Sequence, residues 1–191
     1  MLWLIVGLGN PGSRYESSRH NVGFMALDGL RAELGLPGYK EKFSGVFTRG
    51  EALGHTLVLL KPMTFMNVSG ASVQPALAFL KVDLGHVLVL HDELDLAFGD
   101  VRLKLGGGHA GHNGLRSIIE RTGSPDFVRV RIGIGRPPAG FRGEVADYVL
   151  SGFDAVERAE LPGIVSRAAL AATKVVSLGT QAAMNEVNTR A

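Results

Sequence analysis

Short runs of purely apolar residues constrain this chain more than any other feature. They occupy residues 2–6, 57–60 and 87–90, and each ends at a glycine or a polar residue. Apolar runs of this length are typical of strands buried on both faces of a sheet. They are far shorter than the ~20 residues needed to cross a bilayer. We therefore expect a buried sheet and no membrane association.

The segments between these runs predict helices and further strands. Apolar residues recur at helical spacing in residues 22–34, 69–81, 115–121, 156–178 and 181–187. Gly54 marks the turn of a hairpin within residues 44–61, and alternation predicts strands at 101–105 and 127–134. With 191 residues and no linker or repeat, residues 1–191 are expected to form one domain. The pattern predicts a single three-layer α/β/α domain with a mixed, mostly parallel central sheet.

The chain contains no cysteine. This excludes disulfides, thiolate zinc sites, iron–sulfur clusters and cysteine nucleophiles, and it favours a reducing, cytoplasmic setting. No basic region precedes the apolar run at residues 2–6, so we expect no signal peptide.

The net charge of +2 conceals a strongly basic segment. Residues 101–142 hold eight basic and two acidic side chains, a local excess of six positive charges. Such a block suits a polyanionic partner such as nucleic acid. A solvated basic face accounts for the composition equally well, so charge alone leaves both interpretations open.

Three glycines after the first predicted strand match a dinucleotide-binding pattern, with Gly7, Gly9 and Gly12 at the required spacing. That pattern needs a helix to begin within the motif, so that its amino end holds the pyrophosphate. Here a polar stretch intervenes, and the helical pattern starts only at Asn21. The glycines more simply form a tight turn that exposes Asn10 at the end of a strand.

Histidines suggest a second alternative, a metallohydrolase. His109 and His112, together with His91 and Asp92, could supply metal ligands. The spacing is not diagnostic, because no helix aligns two histidines within a glycine-rich loop. No Gly-x-Ser-x-Gly motif is present, so the sequence does not favour a serine nucleophile.

Polar side chains follow the predicted strands. Asn10, Asn67 and Asp92 each come after one of them, where ligands of open α/β sheets bind. His20 precedes the first long helix, whose dipole disfavours a protonated imidazole. A neutral His20 paired with Asp92 could activate water. Each residue alone fits a role as a cap or turn former, but together they favour a hydrolytic cleft.

Six sequence blocks occur in a familiar order and spacing. They are LIVGLGNPG at 4–12, Tyr15 with RHNVG at 19–23, KPMTFMNVSG at 61–70, HDELD at 91–95, KLGGGHAGHNGL at 104–115 and RIGIG at 131–135. The chain closely resembles the bacterial-type peptidyl-tRNA hydrolase family. It departs from many members at residues 96–99, where they carry a proline in the turn.

The resemblance implies hydrolysis of the ester that joins a peptide to the terminal ribose of tRNA, which recycles tRNA from prematurely released chains. It implies a cytoplasmic monomer that uses no metal or organic cofactor, forms no covalent intermediate and needs no obligate protein partner. His20 would be the general base, Asp92 would orient it, and Asn10 would position both His20 and the substrate.

The resemblance also implies binding residues for the two halves of the substrate. The residues that would contact the peptide and the reacting carbonyl are Tyr15, Met66, Asn67, His112 and Asn113. Lys104 and Arg131, both in the basic segment, would bind the 5′-phosphate of tRNA. Asparagine carries the donors and acceptor of a peptide bond, so several asparagines could hold a peptide of any sequence.

Two alternatives stay open at this point. A non-catalytic RNA-binding protein, similar to a splicing factor, could share the same fold. Residues 136–150 contain several glycines and prolines, which fit either a mobile lid or a static loop.

Overall fold

Seven strands form one sheet, with helices on both faces. The computed structural model describes residues 1–189. The strands are β1 (Leu2–Gly7), β2 (Lys40–Lys42), β3 (Gly45–Ala52), β4 (His55–Pro62), β5 (Val87–Glu93), β6 (Val101–Leu105) and β7 (Val128–Gly133). The helices are α1 (Val22–Glu33), α2 (Gly70–Leu80), α3 (Asn113–Thr122), α4 (Val145–Leu150), α5 (Ala155–Leu178) and α6 (Thr180–Asn188). Short 3-10 turns occupy Arg19–Asn21, Met66–Val68 and Leu84–His86.

The sheet has the strand order β2-β3-β4-β1-β5-β7-β6. Its centre, β4-β1-β5-β7, is parallel, whereas β3 pairs antiparallel with β4 and with β2, and β6 pairs antiparallel with β7. The three-layer, mixed architecture predicted from the sequence is confirmed. The apolar runs form the parallel centre, because these strands are covered on both faces and need apolar side chains on each.

Two apolar cores lie on opposite faces of the sheet. One contains buried residues of α1, α4, α5 and α6, and the other contains buried residues of α2 and α3. Strand β5 serves both, since Leu88 and Leu90 face the first core while Val87 and Val89 face the second.

Helix α5 is, by length and composition alone, apolar enough to cross a membrane, with a mean hydropathy of 1.3 over its most apolar 18 residues. The prediction from short apolar runs did not consider it. One face of α5, including Ile164, Ala168 and Val175, is buried in the first core. Packing of α5 against the sheet and α1 accounts for the apolar residues of that face.

Several element boundaries differ from the prediction. Strand β5 continues through Glu93 instead of ending at residue 90, because its polar end pairs with β7 up to Gly133. Helix α3 begins at Asn113, two residues early, because His112 caps it. Helix α4 lies within residues 136–150, where glycine and proline had indicated a loop, and a capping box between Glu144 and Asp147 starts it.

Candidate active site

A cleft of about 490 Å³ opens at the carboxyl ends of β1 and β5. Seven of the ten predicted site residues line it: Asn10, His20, Met66, Asn67, Asp92, His112 and Asn113. Their elements are separate in sequence, but each residue lies at the end of a strand, in a connecting segment or at the start of a helix at the same edge of the sheet. Part of helix α4, which the sequence did not predict, forms the facing wall with Val145 and Val149.

The His20 imidazole and the Asp92 carboxylate form a buried pair in this cleft. His20 Nδ1 lies 2.8 Å from Asp92 Oδ2, and the two side chains are 10% and 2% exposed. An ionised carboxylate only accepts hydrogen bonds, so Nδ1 carries the proton and donates it to Asp92. In the neutral imidazole the second nitrogen, Nε2, therefore keeps its lone pair.

Asp92 has a second histidine partner. His112 Nε2 lies 2.8 Å from Asp92 Oδ1, and its ring centroid is 5.0 Å from that of His20. His112 Nδ1 accepts the backbone N–H groups of Gly114 and Leu115, at 3.1 and 3.3 Å, and so caps α3. Because Nδ1 accepts, Nε2 is the donor. Both oxygens of Asp92 thus accept a hydrogen bond from a histidine.

These contacts shift the pKa values of the pair. Burial opposes ionisation of Asp92, but His20 and His112 more than offset it and hold the pKa of Asp92 below its usual range. Burial would lower the pKa of His20, yet the charge of Asp92 and the hydrogen bond to it raise that pKa above 6.5. His20 is therefore more basic than a free histidine.

His91 precedes Asp92 on β5, but its side chain forms no hydrogen bond with His20 or with the Asp92 carboxylate; its partner is a backbone carbonyl. Its Nδ1 donates to the backbone carbonyl of Asp92 at 2.8 Å, and its Nε2 is buried without a hydrogen-bond partner among residues 1–189. Burial, together with the nearby His112, lowers the pKa of His91 to about 3. His91 is therefore neutral in the folded protein at physiological pH.

The metal hypothesis built on His91, Asp92, His109 and His112 does not match this geometry. Within residues 1–189, the ligand atoms that lie within 4.8 Å of one another belong to His20, Asp92 and His112. Both nitrogens of His112 already contact Asp92 or the amino end of α3, and His91 Nδ1 contacts a carbonyl. A metal ion here would have to displace hydrogen-bonded protons.

Asn10 is held by its neighbours on both sides. Its Oδ1 accepts the backbone N–H of Met66 at 2.8 Å, which directs its Nδ2 away from Met66. Its backbone N–H donates to Asn21 Oδ1 at 2.8 Å, and its carbonyl accepts from Asn21 Nδ2 at 2.9 Å. The sequence did not identify Asn21 as a site residue, although it follows His20 directly in the RHNVG block.

The remaining peptide-binding candidates differ in position. Asn67 and Asn113 are exposed and line the cleft, so their amide groups are open to a ligand. Met66 also lines the cleft but is buried. Tyr15 is half-buried and is not among the residues that line the cleft, and the Arg14 guanidinium lies 5.5 Å from its ring centroid.

The two phosphate-binding candidates share one face of the β6–β7 pair. Lys104 lies opposite Arg129 and Arg102 opposite Arg131, so the four residues start from the same face of the strand pair. The Arg102 guanidinium, however, turns to α6 and donates to the Asn188 carbonyl at 3.2 Å. Lys104 is exposed and passes close to Gly107, where a Cβ would lie 2.8 Å from its Nζ. A side chain at that position would displace the flexible end of the lysine.

Two contacts of this basic face were not predicted. Arg131 Nε lies 2.9 Å from Glu93 Oε1, so a carboxylate partly neutralises it. Arg129 is only 2% exposed and donates to the carbonyl oxygens of Gly107, Gly108 and Pro125. Arg129 thereby fixes the glycine-rich loop and is not available to a ligand, although the alternating pattern had placed it beside Arg131.

The fold and the site together define a class: an α/β protein with a histidine–aspartate cleft at the carboxyl ends of parallel strands. Comparisons with known proteins identify the family. A family model described as peptidyl-tRNA hydrolase matches residues 4–191. The chain belongs to the peptidyl-tRNA hydrolase family.

Individual relatives match over nearly the whole chain. The chain is 64% identical over 187 residues to the peptidyl-tRNA hydrolase of Sorangium cellulosum, covering 98% of this chain and 84% of that protein. It is 52% identical over 162 residues to that of Geobacter metallireducens, covering 85% and 82%. The crystal structure of peptidyl-tRNA hydrolase from Acinetobacter baumannii aligns with a TM-score of 0.90 at 42% identity, covering 98% of this chain and 95% of that one.

Proposed function

We propose that this chain hydrolyses the ester bond between the peptide and the 3′-terminal ribose of peptidyl-tRNA, with His20 as general base. The observation that carries the proposal is the buried His20–Asp92 pair in the cleft, found in a chain of the peptidyl-tRNA hydrolase family. The proposal includes a cytoplasmic role in translation, for which a cysteine-free chain is suited.

The chemistry follows from the tautomer of His20. Its Nε2 takes a proton from water as the water oxygen bonds to the ester carbonyl carbon, and Asp92 stabilises the imidazolium that forms. The tetrahedral intermediate then expels the ribose oxygen, which takes the proton back from Nε2. Positioned general-base help of this kind contributes ~10²–10⁴-fold to the rate.

Asparagine amides supply the polar contacts that the substrate requires. Asn10 Nδ2, oriented by the bond from Met66 to Oδ1, is a donor for the developing oxyanion. One such donor contributes ~3–4 kcal/mol to transition-state stabilisation. Asn67 and Asn113, exposed in the cleft, match the donors and acceptors of a peptide backbone and thus accept any side-chain sequence.

The tRNA half of the substrate is assigned to the basic face of β6 and β7. Lys104 and Arg131 provide phosphate contacts, which give affinity and register without reading bases. Tyr15 remains a candidate contact outside the described cleft lining.

Hydrolysis of N-acetylaminoacyl-tRNA tests the proposal. The wild-type chain should release the N-acetylamino acid, and His20→Ala should lower kcat by ~10²–10⁴-fold while tRNA binding persists. If His20→Ala abolished tRNA binding instead, His20 would have a structural role.

The same assay separates the alternatives. A non-catalytic RNA-binding protein would bind tRNA and leave the ester intact in the wild-type chain. A metallohydrolase would lose activity in excess EDTA, whereas the His20 mechanism predicts full activity there.

A further inference from the structure

Arg19, the residue before His20, is a charged side chain with little access to solvent. It is 8% exposed and lies in the short, buried 3-10 turn that precedes α1. Its guanidinium binds the Glu157 carboxylate through two parallel bonds, from Nη1 to Oε2 at 2.8 Å and from Nη2 to Oε1 at 2.9 Å. The partners are 138 residues apart, so the pair joins distant parts of the chain.

The Arg19 guanidinium also packs against aromatic rings. It lies 4.5 Å from the ring centroid of Tyr148 and 5.1 Å from that of Phe153, and its Nε donates to Ser151 Oγ at 3.3 Å. Tyr148 in turn donates its hydroxyl to the carbonyl of Ile134 at 2.9 Å. The pair is therefore enclosed by the end of α4 and the segment that leads into α5.

Backbone contacts reinforce the same connection. Ser18 forms a β-bridge with Gly152, and the Arg19 N–H donates to the Ser151 carbonyl at 2.9 Å. Glu157 belongs to the capping box of α5, where its Oε1 also accepts the N–H of Asp154 at 2.9 Å. The turn that carries His20 is thus attached to the first turn of α5.

This attachment joins two walls of the cleft. On one side, His20 follows Arg19 directly; on the other, Val145 and Val149 of α4 line the cleft just before Ser151. A partly buried ion pair of this kind adds little net stability, because the cost of desolvating the charges offsets most of their Coulomb attraction. The bidentate geometry does fix the orientation of the two side chains, because each carboxylate oxygen has one defined guanidinium nitrogen as its partner.

We propose that Arg19 and Glu157 are positioning residues that hold the His20 turn and the α4 wall in a single arrangement around the substrate. The inference rests on the proposed function and deepens it. Misplacement of a reacting group by about 1 Å can cost ~10²-fold in rate. Loss of the pair should therefore affect kcat far more than substrate affinity, because the basic face of β6 and β7 is untouched.

The charges around His20 give the proposal a specific signature. Asp92 on β5 and His112 before α3 face the imidazole directly, while Arg19 and Glu157 lie on its own turn and on α5. Replacing both members of the pair by neutral residues removes one positive and one negative charge. The electrostatic effects oppose each other, so a change in the pKa of His20 then reports its distance from Asp92. A looser contact lowers that pKa.

The test compares wild-type protein with the double variant Arg19→Gln/Glu157→Gln. We expect kcat on N-acetylaminoacyl-tRNA to fall by 10–100-fold with KM changed less than threefold, and the acid limb of the pH profile to move to lower pH. The matched control is Lys174→Met, which removes another ion pair of α5, with Glu186 at 2.9 Å, away from the cleft. Lys174→Met should leave kcat within twofold of wild type and should not move the acid limb of the pH profile.

Further readouts keep the proposal distinct from a folding defect. Partial unfolding would lower kcat at every pH without moving the acid limb, and that result would overturn the proposal. An unchanged kcat in a folded double variant would also overturn it. If the double variant does not fold, Glu157→Asp, which keeps the negative charge but shortens the side chain by one methylene, should show the same shift to a smaller extent. An NMR titration of the His20 imidazole measures its pKa without substrate, so this test succeeds or fails independently of the hydrolase activity.

Discussion

At the scale of single residues, Asp92 determines how both catalytic-site histidines are protonated. Each of its oxygens accepts a bond of 2.8 Å, from His20 Nδ1 and from His112 Nε2. The strand ends and the position of His20 predicted its pairing with Asp92. The cap that His112 provides for α3 could not be predicted, because it depends on how a glycine-rich loop folds back onto the helix.

Asp92→Asn should inactivate the site although the amide has nearly the same size and shape as the carboxylate. A carboxamide has one acceptor oxygen, so one histidine meets an NH2 group instead. If that histidine is His20, Nδ1 becomes the acceptor and Nε2 carries the proton, which removes the base. We expect kcat to fall ~10³–10⁴-fold, as for the equivalent change in a serine-protease triad.

The pH profile of kcat/KM checks the same change. In wild-type protein the rate should rise through the raised pKa of His20, above 6.5, because only the neutral imidazole accepts a proton. In Asp92→Asn the carboxylate charge is gone, so the pKa of His20 should fall. The acid limb of the residual activity should therefore move to lower pH. A variant that kept the wild-type limb and more than a tenth of the rate would contradict the role of Asp92.

His91 makes stability depend on pH. Its folded-state pKa of about 3 lies below the unfolded value of 6.5, so the unfolded chain binds the proton first as the pH falls. Its contribution to the free energy of unfolding is complete above pH 6.5 and decreases toward pH 3. Between pH 7 and pH 5 the wild-type protein should lose about 2 kcal/mol relative to His91→Gln.

Urea unfolding at several pH values measures this difference. Between pH 7 and pH 8 the free energies of unfolding of the two proteins should change with pH in the same way. His91 is then mostly neutral in both the folded and the unfolded chain. Equal pH dependence from 7 to 5 would show that His91 is protonated in the folded protein.

At the scale of elements, the sequence predicted the strands and helices that depend on interactions between residues close together in the chain. The hairpin of β3 and β4 and the long helix α5 follow from turn chemistry and from apolar periodicity. Helix α4 was missed because the glycines and prolines of residues 136–150 suggest a loop, although the spacing of Glu144 and Asp147 carries a capping signal. Strand β2 is three exposed polar residues and exists only through pairing with β3.

The end of α2 offers a test of helix termination. Lys81 caps this helix in the left-handed conformation, with φ 55° and ψ 48°, which favours glycine. Lys81→Gly should raise the free energy of unfolding by about 0.5–1 kcal/mol, because it relieves the contact between Cβ and the backbone. Ala78→Gly, an exposed site inside the same helix, should lower it by about 1 kcal/mol. Urea titration of both variants checks the opposite signs, and a destabilising Lys81→Gly would mean that the lysine side chain has a partner.

At the scale of the whole molecule, the sequence predicted which residues meet but not what covers them. Buried parallel strands bring polar residues to one edge of the sheet, and seven of ten candidates line the cleft there. Alternation along β7 placed Arg129 and Arg131 on one face, as observed. It could not show that loop carbonyls bury Arg129 or that Glu93 binds Arg131, because those partners come from other segments.

Lys104 is one of the basic side chains of β6 and β7, none of which lines the cleft. Lys104→Ala should raise KM for N-acetylaminoacyl-tRNA and leave kcat within twofold, because the lysine lies on the basic face and outside the cleft lining. Loss of one phosphate contact should reduce the slope of log KM against log salt by about one. Lys174→Ala, on α5 across the sheet, should leave that slope unchanged. A Lys104→Ala defect confined to kcat, or independent of salt, would assign the phosphate contact to another residue.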